Sequence, residues 1–386
     1  MNILSLKLKN FRNFSEENFV FGKKINILTG ANAQGKTNTA EAIFFLCTSY
    51  SPRASKDKYV IKNGEEEASA EAIAESKYGL VTVNITFNRN DKKRIFINGI
   101  EVHKVGELLG NIHSVFFNPQ ELKLVQESPE DRRRFMNVSL SQMSKNYFYA
   151  LQRYNKILSQ RNRLLKDENE YVIRETLPVW DLQLAKQAAK IVADRNEFLR
   201  NISPIAEEKH ALITGGKETL KMNTDGGYYG SEQDIEYALL SDLKSSLEKD
   251  IRLGFTSIGP HRDDIKFSLN DLDARIYGSQ GQQRTIALAL KLAEAETFKI
   301  RFGEYPVLIL DDVLSELDLS RQKRLIKTTA DIQTIYTATG LSSAVFRDYD
   351  YKRIIIENGK IKSTTEHLAK KDQTIRKNPK KLKNTK

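Results

Sequence analysis

Residues 30–37 read Gly30-Ala31-Asn32-Ala33-Gln34-Gly35-Lys36-Thr37, a match to G-x-x-x-x-G-K-[ST] at every fixed position. Ahead of this stretch, 24–29 has the apolar character of a buried strand. Behind it, Ala40, Ile43, Phe44 and Cys47 recur at spacings of three and four and predict a helix over 37–47. The chemistry requires this layout. Glycine lets the backbone curl so that successive N–H groups point at one anion, and the following helix N-terminus adds partial positive charge. Lys36 then reaches the β- and γ-phosphates of a nucleotide, and the Thr37 hydroxyl coordinates Mg²⁺. A glycine-rich turn without function is the alternative, and the two flanks argue against it. All eight residues are assigned to nucleotide binding, with ATP and Mg²⁺ as the cofactors.

A second apolar run, 307–310, ends in Asp311-Asp312. At the C-terminal edge of a buried parallel strand, Asp311 supports the metal beside Thr37, and Asp312 orients the attacking water. Alone, such a pair would be an ordinary strand end. With the loop, Lys36, Asp311 and Asp312 become the catalytic candidates, and Thr37 and Asp311 the metal ligands.

The rest of the chain divides by pattern. Residues 3–8 alternate as a strand with 18–21 as a partner, 80–87 alternates with β-branched residues, and Asn98-Gly99 after 94–97 predicts a two-residue hairpin turn. Ser128-Pro129-Glu130-Asp131 predicts a capped helix start. From there to about 211 the chain is helical in pattern, with stripes at Leu151, Tyr154, Leu158, Leu165 and at Leu182, Ala185, Ala189, Val192. A helical hairpin packed on itself is expected, rather than a long coiled coil. Residues 213–230 are glycine-rich and read as a surface loop. Beyond 251 strands and helices alternate, which indicates a parallel or mixed sheet.

Tyr277-Gly278-Ser279-Gln280-Gly281-Gln282-Gln283-Arg284 stands before an apolar helix and before the strand ending in Asp311. That order resembles ABC-type ATPases, where a signature helix of one subunit offers its N-terminal N–H groups and serine hydroxyl to the γ-phosphate held by another. Ser279, Gly281 and Gln282 are therefore nucleotide-binding candidates, and Ser315-Glu316-Leu317-Asp318 takes the place of the D-loop. The resemblance sharpens with Asn10-Phe11-Arg12-Asn13-Phe14, Arg132-Arg133-Arg134-Phe135, Gly259-Pro260-His261-Arg262-Asp263-Asp264 and Asp311-Asp312-Val313-Leu314-Ser315-Glu316-Leu317-Asp318. Together these are similar to the RecF family of bacterial recombination and repair proteins, over about 1–362.

The resemblance implies an α/β fold: an ABC-type P-loop ATPase head with a mixed β-sheet, interrupted by a helical lobe. The divisions expected are 1–120 and 251–365 for the head, 121–250 for the lobe, and a disordered basic tail at 366–386. It also implies an ATP-dependent homodimer, binding to single- and double-stranded DNA and gap junctions, and work with RecO and RecR in placing RecA. By the same resemblance Arg12 and Asn13 lie near the adenine, although a surface turn explains them equally, and Gln120 takes the place of a metal-contacting glutamine. Asp312 replaces the glutamate usual in transporters, which predicts slow hydrolysis. Thr339 stands in for their switch histidine. A structural or interface role is expected for 259–264, with a catalytic or metal site of His261, Arg262, Asp263 and Asp264 as the alternative; a solvated face is expected for Arg132, Arg133 and Arg134, against pairing with Glu130 and Asp131 or facing DNA phosphates. Two other readings are a transporter ATPase subunit and an ATPase-linked nuclease.

Composition sets the outer bounds. The 386 residues carry a net charge of +11. Residues 370–386 hold eight basic side chains and one acid, so they supply +7 of that charge and leave the body mildly basic at +4. Such a tail either adds sequence-independent phosphate contacts or is simply solvated. The longest apolar run, 42–47, is far short of the roughly 20 residues that span a bilayer. Residues 1–9 hold no continuous apolar stretch, and Cys47 is the one cysteine. No secretory leader, no membrane contact, no internal disulfide and a cytoplasmic location are expected.

Overall fold

The computed structural model describes residues 1–224, 227–340 and 345–369. At its centre stands a six-stranded sheet in the order Lys360–His367, Tyr351–Glu357, Ile25–Thr29, Thr334–Ala338, Val307–Asp311, Ser114–Phe117. The last five run parallel, and Lys360–His367 closes one edge antiparallel. Val307–Asp311 and Thr334–Ala338 are buried at every position, as parallel strands covered on both faces must be. Ile27, Leu308, Leu310 and Tyr336 face one core; Leu28, Ile309, Ile335 and Ile354 face the other. Each such side chain removed from water contributes about 2 kcal/mol.

The second core is closed by a purely antiparallel sheet of six strands, Glu16–Val20, Asn2–Lys9, Glu67–Ser76, Gly79–Asn88, Arg94–Ile97 and Ile100–Val102. Asn98 and Gly99 both take positive φ, 50° and 80°, so the expected hairpin turn is present. Between the two sheets lies the helix Lys36–Thr48. Glu67–Ser76, EASAEAIAES, was not anticipated, since alanine and glutamate are poor strand formers. Pairing on both flanks makes it a strand, with Ala68, Ala70, Ala72 and Ala74 turned inward.

The first core holds the helices, and here two expectations change. Lys145–Leu164 and Glu170–Thr214 do form a helical hairpin, but it does not pack on itself alone. Glu170–Thr214 also lies along Gln280–Phe302 of the head, and the hairpin's Tyr147, Tyr154, Leu184 and Ala188 share one core with the central strands. That helix runs 45 residues, about 68 Å, continuing through Pro178 and Pro204. Its buried stripe passes through Leu177, Leu184, Ala188 and Ile191, which leaves Leu182 exposed instead of buried.

The glycine-rich region 213–230 is not all loop. Leu220–Thr224 is a strand that pairs with Ile265–Leu269, and Leu272–Asp273 completes a small third sheet. Pro129–Met143 starts where expected, but the Ser128 hydroxyl makes no cap; its carbonyl accepts from Asp131 N–H at 3.2 Å. The basic tail from 370 onward lies outside the described residues. Among the described residues no helix is long and apolar enough to cross a membrane.

Candidate nucleotide-binding site

The phosphate loop joins Ile25–Thr29 to Lys36–Thr48, as its pattern requires. A Cβ on Gly30 would stand 2.2 Å from the Ile356 carbonyl oxygen, and one on Gly35, at φ 121°, 2.6 Å from the Phe14 ring. Only glycine fits either place. Ala33 adds a third positive φ, 62°. The Lys36 ammonium donates to the Gly30 and Ala31 carbonyls at 2.8 and 2.7 Å. Burial holds that ammonium below the ordinary lysine value, against the pull of Asp312 and Asp311.

Thr37, the two aspartates and Thr337 meet at the C-terminal ends of the central strands. Thr37 Oγ1 donates to Asp311 Oδ1 at 2.9 Å, and Thr337 Oγ1 donates to the same oxygen at 2.6 Å. Burial pushes the Asp311 carboxyl above its usual range, while those hydroxyl bonds act the other way. Asp312 sits at φ 54°, a left-handed conformation costly for a residue with a side chain. Its N–H donates to Thr337 Oγ1 at 3.0 Å, and its Oδ1 is buried without a hydrogen-bond partner. A cavity of about 280 Å³ is lined by 32–38, Arg53, Asp312, Thr337 and Thr339. The donor set suits a Mg²⁺–nucleotide: hydroxyl and carboxylate oxygens for a hard cation, N–H groups and an ammonium for phosphates, and Asp312 on the cavity wall with one oxygen unpartnered. Thr337 is the functional residue that pattern reading missed, because nothing in an apolar strand marks one threonine as a carboxylate holder.

Other candidates fall elsewhere. Arg12 is turned onto the buried Glu41, with bonds of 2.9 and 2.6 Å, and onto the Tyr59 carbonyl at 2.7 Å. These contacts tie the guanidinium to Lys36–Thr48 through Glu41. Asn13 braces the loop from outside, donating to the Gln34 carbonyl at 2.9 Å and accepting from Asn38 at 2.8 Å. Gln120 does not line the phosphate cavity; it borders a separate pocket with Glu121 and Lys291. Ser279 is exposed at the start of Gln280–Phe302, where it forms a capping box with Gln282. Neither Ser279, Gly281 nor Gln282 lines the chain's own phosphate cavity. The D-loop stretch is tied to the signature helix by Arg284–Glu316 at 2.7 Å, and Asp318 caps Leu319–Thr329.

Residues 259–264 form a half-buried clamp, with Pro260 buried and Arg262 exposed. Arg132 is bidentate to Asp264, at 2.5 and 3.0 Å, and is 3% exposed, so it is no solvated face. Arg195 of the long helix donates to Asp263 and to the Pro260 carbonyl, both at 2.6 Å. His261 Nδ1 lies 2.5 Å from the Tyr154 hydroxyl, and burial lowers its pKa to about 4. Arg133 also turns inward, to the Asp263 carbonyl at 2.9 Å.

A phosphate loop beside a carboxylate-ended parallel strand, in a sheet interrupted by a helical hairpin, defines a head of the chromosome-maintenance ATPase class. The family model described as RecF/RecN/SMC N terminal domain matches residues 2–358. A solved Smc head bound to the C-winged helix domain of ScpA shares this fold at TM-score 0.57 and 16% identity, covering 97% of this chain and all of that one. Within that class the chain belongs to the RecF family. It is 42% identical over 349 residues to the DNA replication and repair protein RecF of Lachnospira eligens, covering 89% of this chain and 94% of that protein. The Clostridium tetani protein of the same name is 40% identical over 363 residues, 93% of this chain and 99% of its own. The solved recombination mediator protein RecF–ATP of the RecFOR pathway superposes at TM-score 0.83 with 32% identity, covering 95% of this chain and 97% of that one.

Proposed function

We propose that this chain is an ATP-driven DNA-binding switch in recombinational repair, whose ATP-bound form is a homodimer. The observation that carries this reading is the division of the site. Lys36, Thr37 and Asp312 line one cavity, with Asp311 bonded to Thr37 at its wall, while the signature serine, Ser279, stands exposed on a helix N-terminus outside it. A second copy supplies that missing half. Bound ATP and Mg²⁺ supply the phosphoanhydride and the charge that polarises it. The loop N–H groups and Lys36 would bind the phosphates, Thr37 and Asp311 would hold the metal, and Asp312 would orient the attacking water. Asp312 reaches one methylene less far than a glutamate, so turnover is slow and hydrolysis works as a release step.

The dimer grips single- or double-stranded DNA near gaps and acts with RecO and RecR, and through them RecA; membership of the RecF family supports this part. Sedimentation with and without ATP tests the dimer, which ATP populates because it bridges both copies. Ser279→Arg keeps ATP binding and loses ATP-induced association. A Ser279→Arg protein that still dimerises with ATP contradicts the shared site. Lys36→Met abolishes nucleotide-dependent retention on DNA, and unchanged retention removes the coupling.

A further inference from the structure

Behind the signature turn lies a polar cluster that the preceding reading leaves unused. Gln282 is the third residue of the capping box: its Oε1 accepts from Ser279 N–H at 2.8 Å, and its own N–H donates to Ser279 Oγ at 3.3 Å. The other end of the Gln282 amide donates from Nε2 to Glu218 Oε1 at 3.0 Å. Glu218 Oε2 is buried with no hydrogen-bond partner, and His210 Nε2 lies 3.7 Å from it. His210 is fully buried, and neither of its ring nitrogens has a hydrogen-bond partner. Burial lowers its pKa, against the pull of Glu218.

The anchoring of Glu218 gives these contacts a consequence. His210 lies in the last turns of Glu170–Thr214, which ends at Gly215 with φ 76°. There Arg324 of Leu319–Thr329 donates to the Ile213 carbonyl at 3.0 Å, and a Cβ on Gly215 would meet its guanidinium at 2.8 Å. The end of the long helix is thus locked to the helix that follows the D-loop. The short turn beyond it delivers one carboxylate oxygen to the signature glutamine. An amide has two ends that can be exchanged by rotation about χ3, and only one orientation lets its oxygen cap Ser279 N–H. Glu218, an acceptor only, selects that orientation.

We propose that Glu218 is a positioning residue for the signature turn: through Gln282 it fixes the geometry in which Ser279 meets the partner's nucleotide, and it ties that geometry to the end of the long hairpin helix. The inference rests on the shared-site reading above. Its test compares wild type, Glu218→Ala and Glu218→Gln at full length, by nucleotide affinity of the isolated chain and by ATP-dependent sedimentation. Glu218→Ala binds ATP as wild type does, because the chain's own phosphate cavity is untouched, but its ATP-induced dimerisation weakens about tenfold or more. Glu218→Gln, whose amide oxygen still accepts from Gln282, returns to within about threefold of wild type. Glu218→Ala dimerising like wild type overturns the proposal, as does Glu218→Gln being as defective as Glu218→Ala. Should Glu218→Ala fail to fold, Gln282→Glu sets two carboxylates against each other at the same place, and its undiminished ATP-dependent dimer would equally overturn the idea. A wild-type chain that stays monomeric with ATP instead sinks the shared-site reading.

Discussion

At the scale of single residues, the site depends on groups that serve one another before they serve a ligand. Thr337 holds Asp311 with its hydroxyl proton and receives the Asp312 N–H on its oxygen. Thr337→Val keeps the shape and deletes both side-chain bonds; the Asp312 N–H then holds only the Thr337 carbonyl at 3.2 Å, and the buried Asp311 carboxylate only the Thr37 hydroxyl at 2.9 Å. Expected is a loss of about 1–3 kcal/mol in folding free energy, read by urea titration, and weaker Mg²⁺-dependent ATP binding. A variant as stable as wild type would show that the threonine is incidental. Arg12 and Asn13 teach the same lesson: the resemblance set them near the adenine, whereas the side-chain contacts they make steady the helix and the loop backbone. Whether a polar side chain faces ligand or protein depends on partners far away in the chain, such as Glu41 and Gln34, which no local motif specifies.

Among elements, the legible ones were those whose patterns are local. The strand before the phosphate loop, the helix after it, the Asn98-Gly99 hairpin and the strand ending in Asp311 all declare themselves through apolar period and turn chemistry. Glu67–Ser76 and Leu220–Thr224 did not, because their strand character comes from neighbours distant in sequence. The sharing of one core between hairpin and head was hidden likewise. Burial of histidines at such junctions makes stability pH-dependent. His261 and His113 have pKa values lowered to about 4 by burial, against an ordinary value near 6.5. Between those limits the unfolded chain takes up protons that the folded chain refuses, so stability is full above about pH 6.5 and falls toward pH 4. Asp263 and Asp311, raised by burial, act in the opposite sense nearer the carboxylate range. Thermal midpoints from pH 7 to pH 5 should decline, and less steeply in His113→Gln. Equal slopes would clear His113 of the effect.

At the scale of the whole molecule, charge and connectivity decide most. The relative from Clostridium tetani is covered over 99% of its length by 93% of this chain, and the +7 of 370–386 lies at the end of the sequence. If those residues touch DNA, removing them lowers the slope of log affinity against log salt by up to about 7 on duplex and about 6 on single strands, the release expected for eight neutralised phosphates. An unchanged slope would mark them as solvated only. Connectivity has a different outcome. Ile25–Thr29 lies between Thr334–Ala338 and Tyr351–Glu357, and Ser114–Phe117 borders Val307–Asp311. As the chain leaves the ribosome, its early strands wait, with edges bare, for neighbours made some 200 to 300 residues later. The nucleotide pocket is therefore among the last parts to be born, and the newly made N-terminal third is a natural client for chaperones.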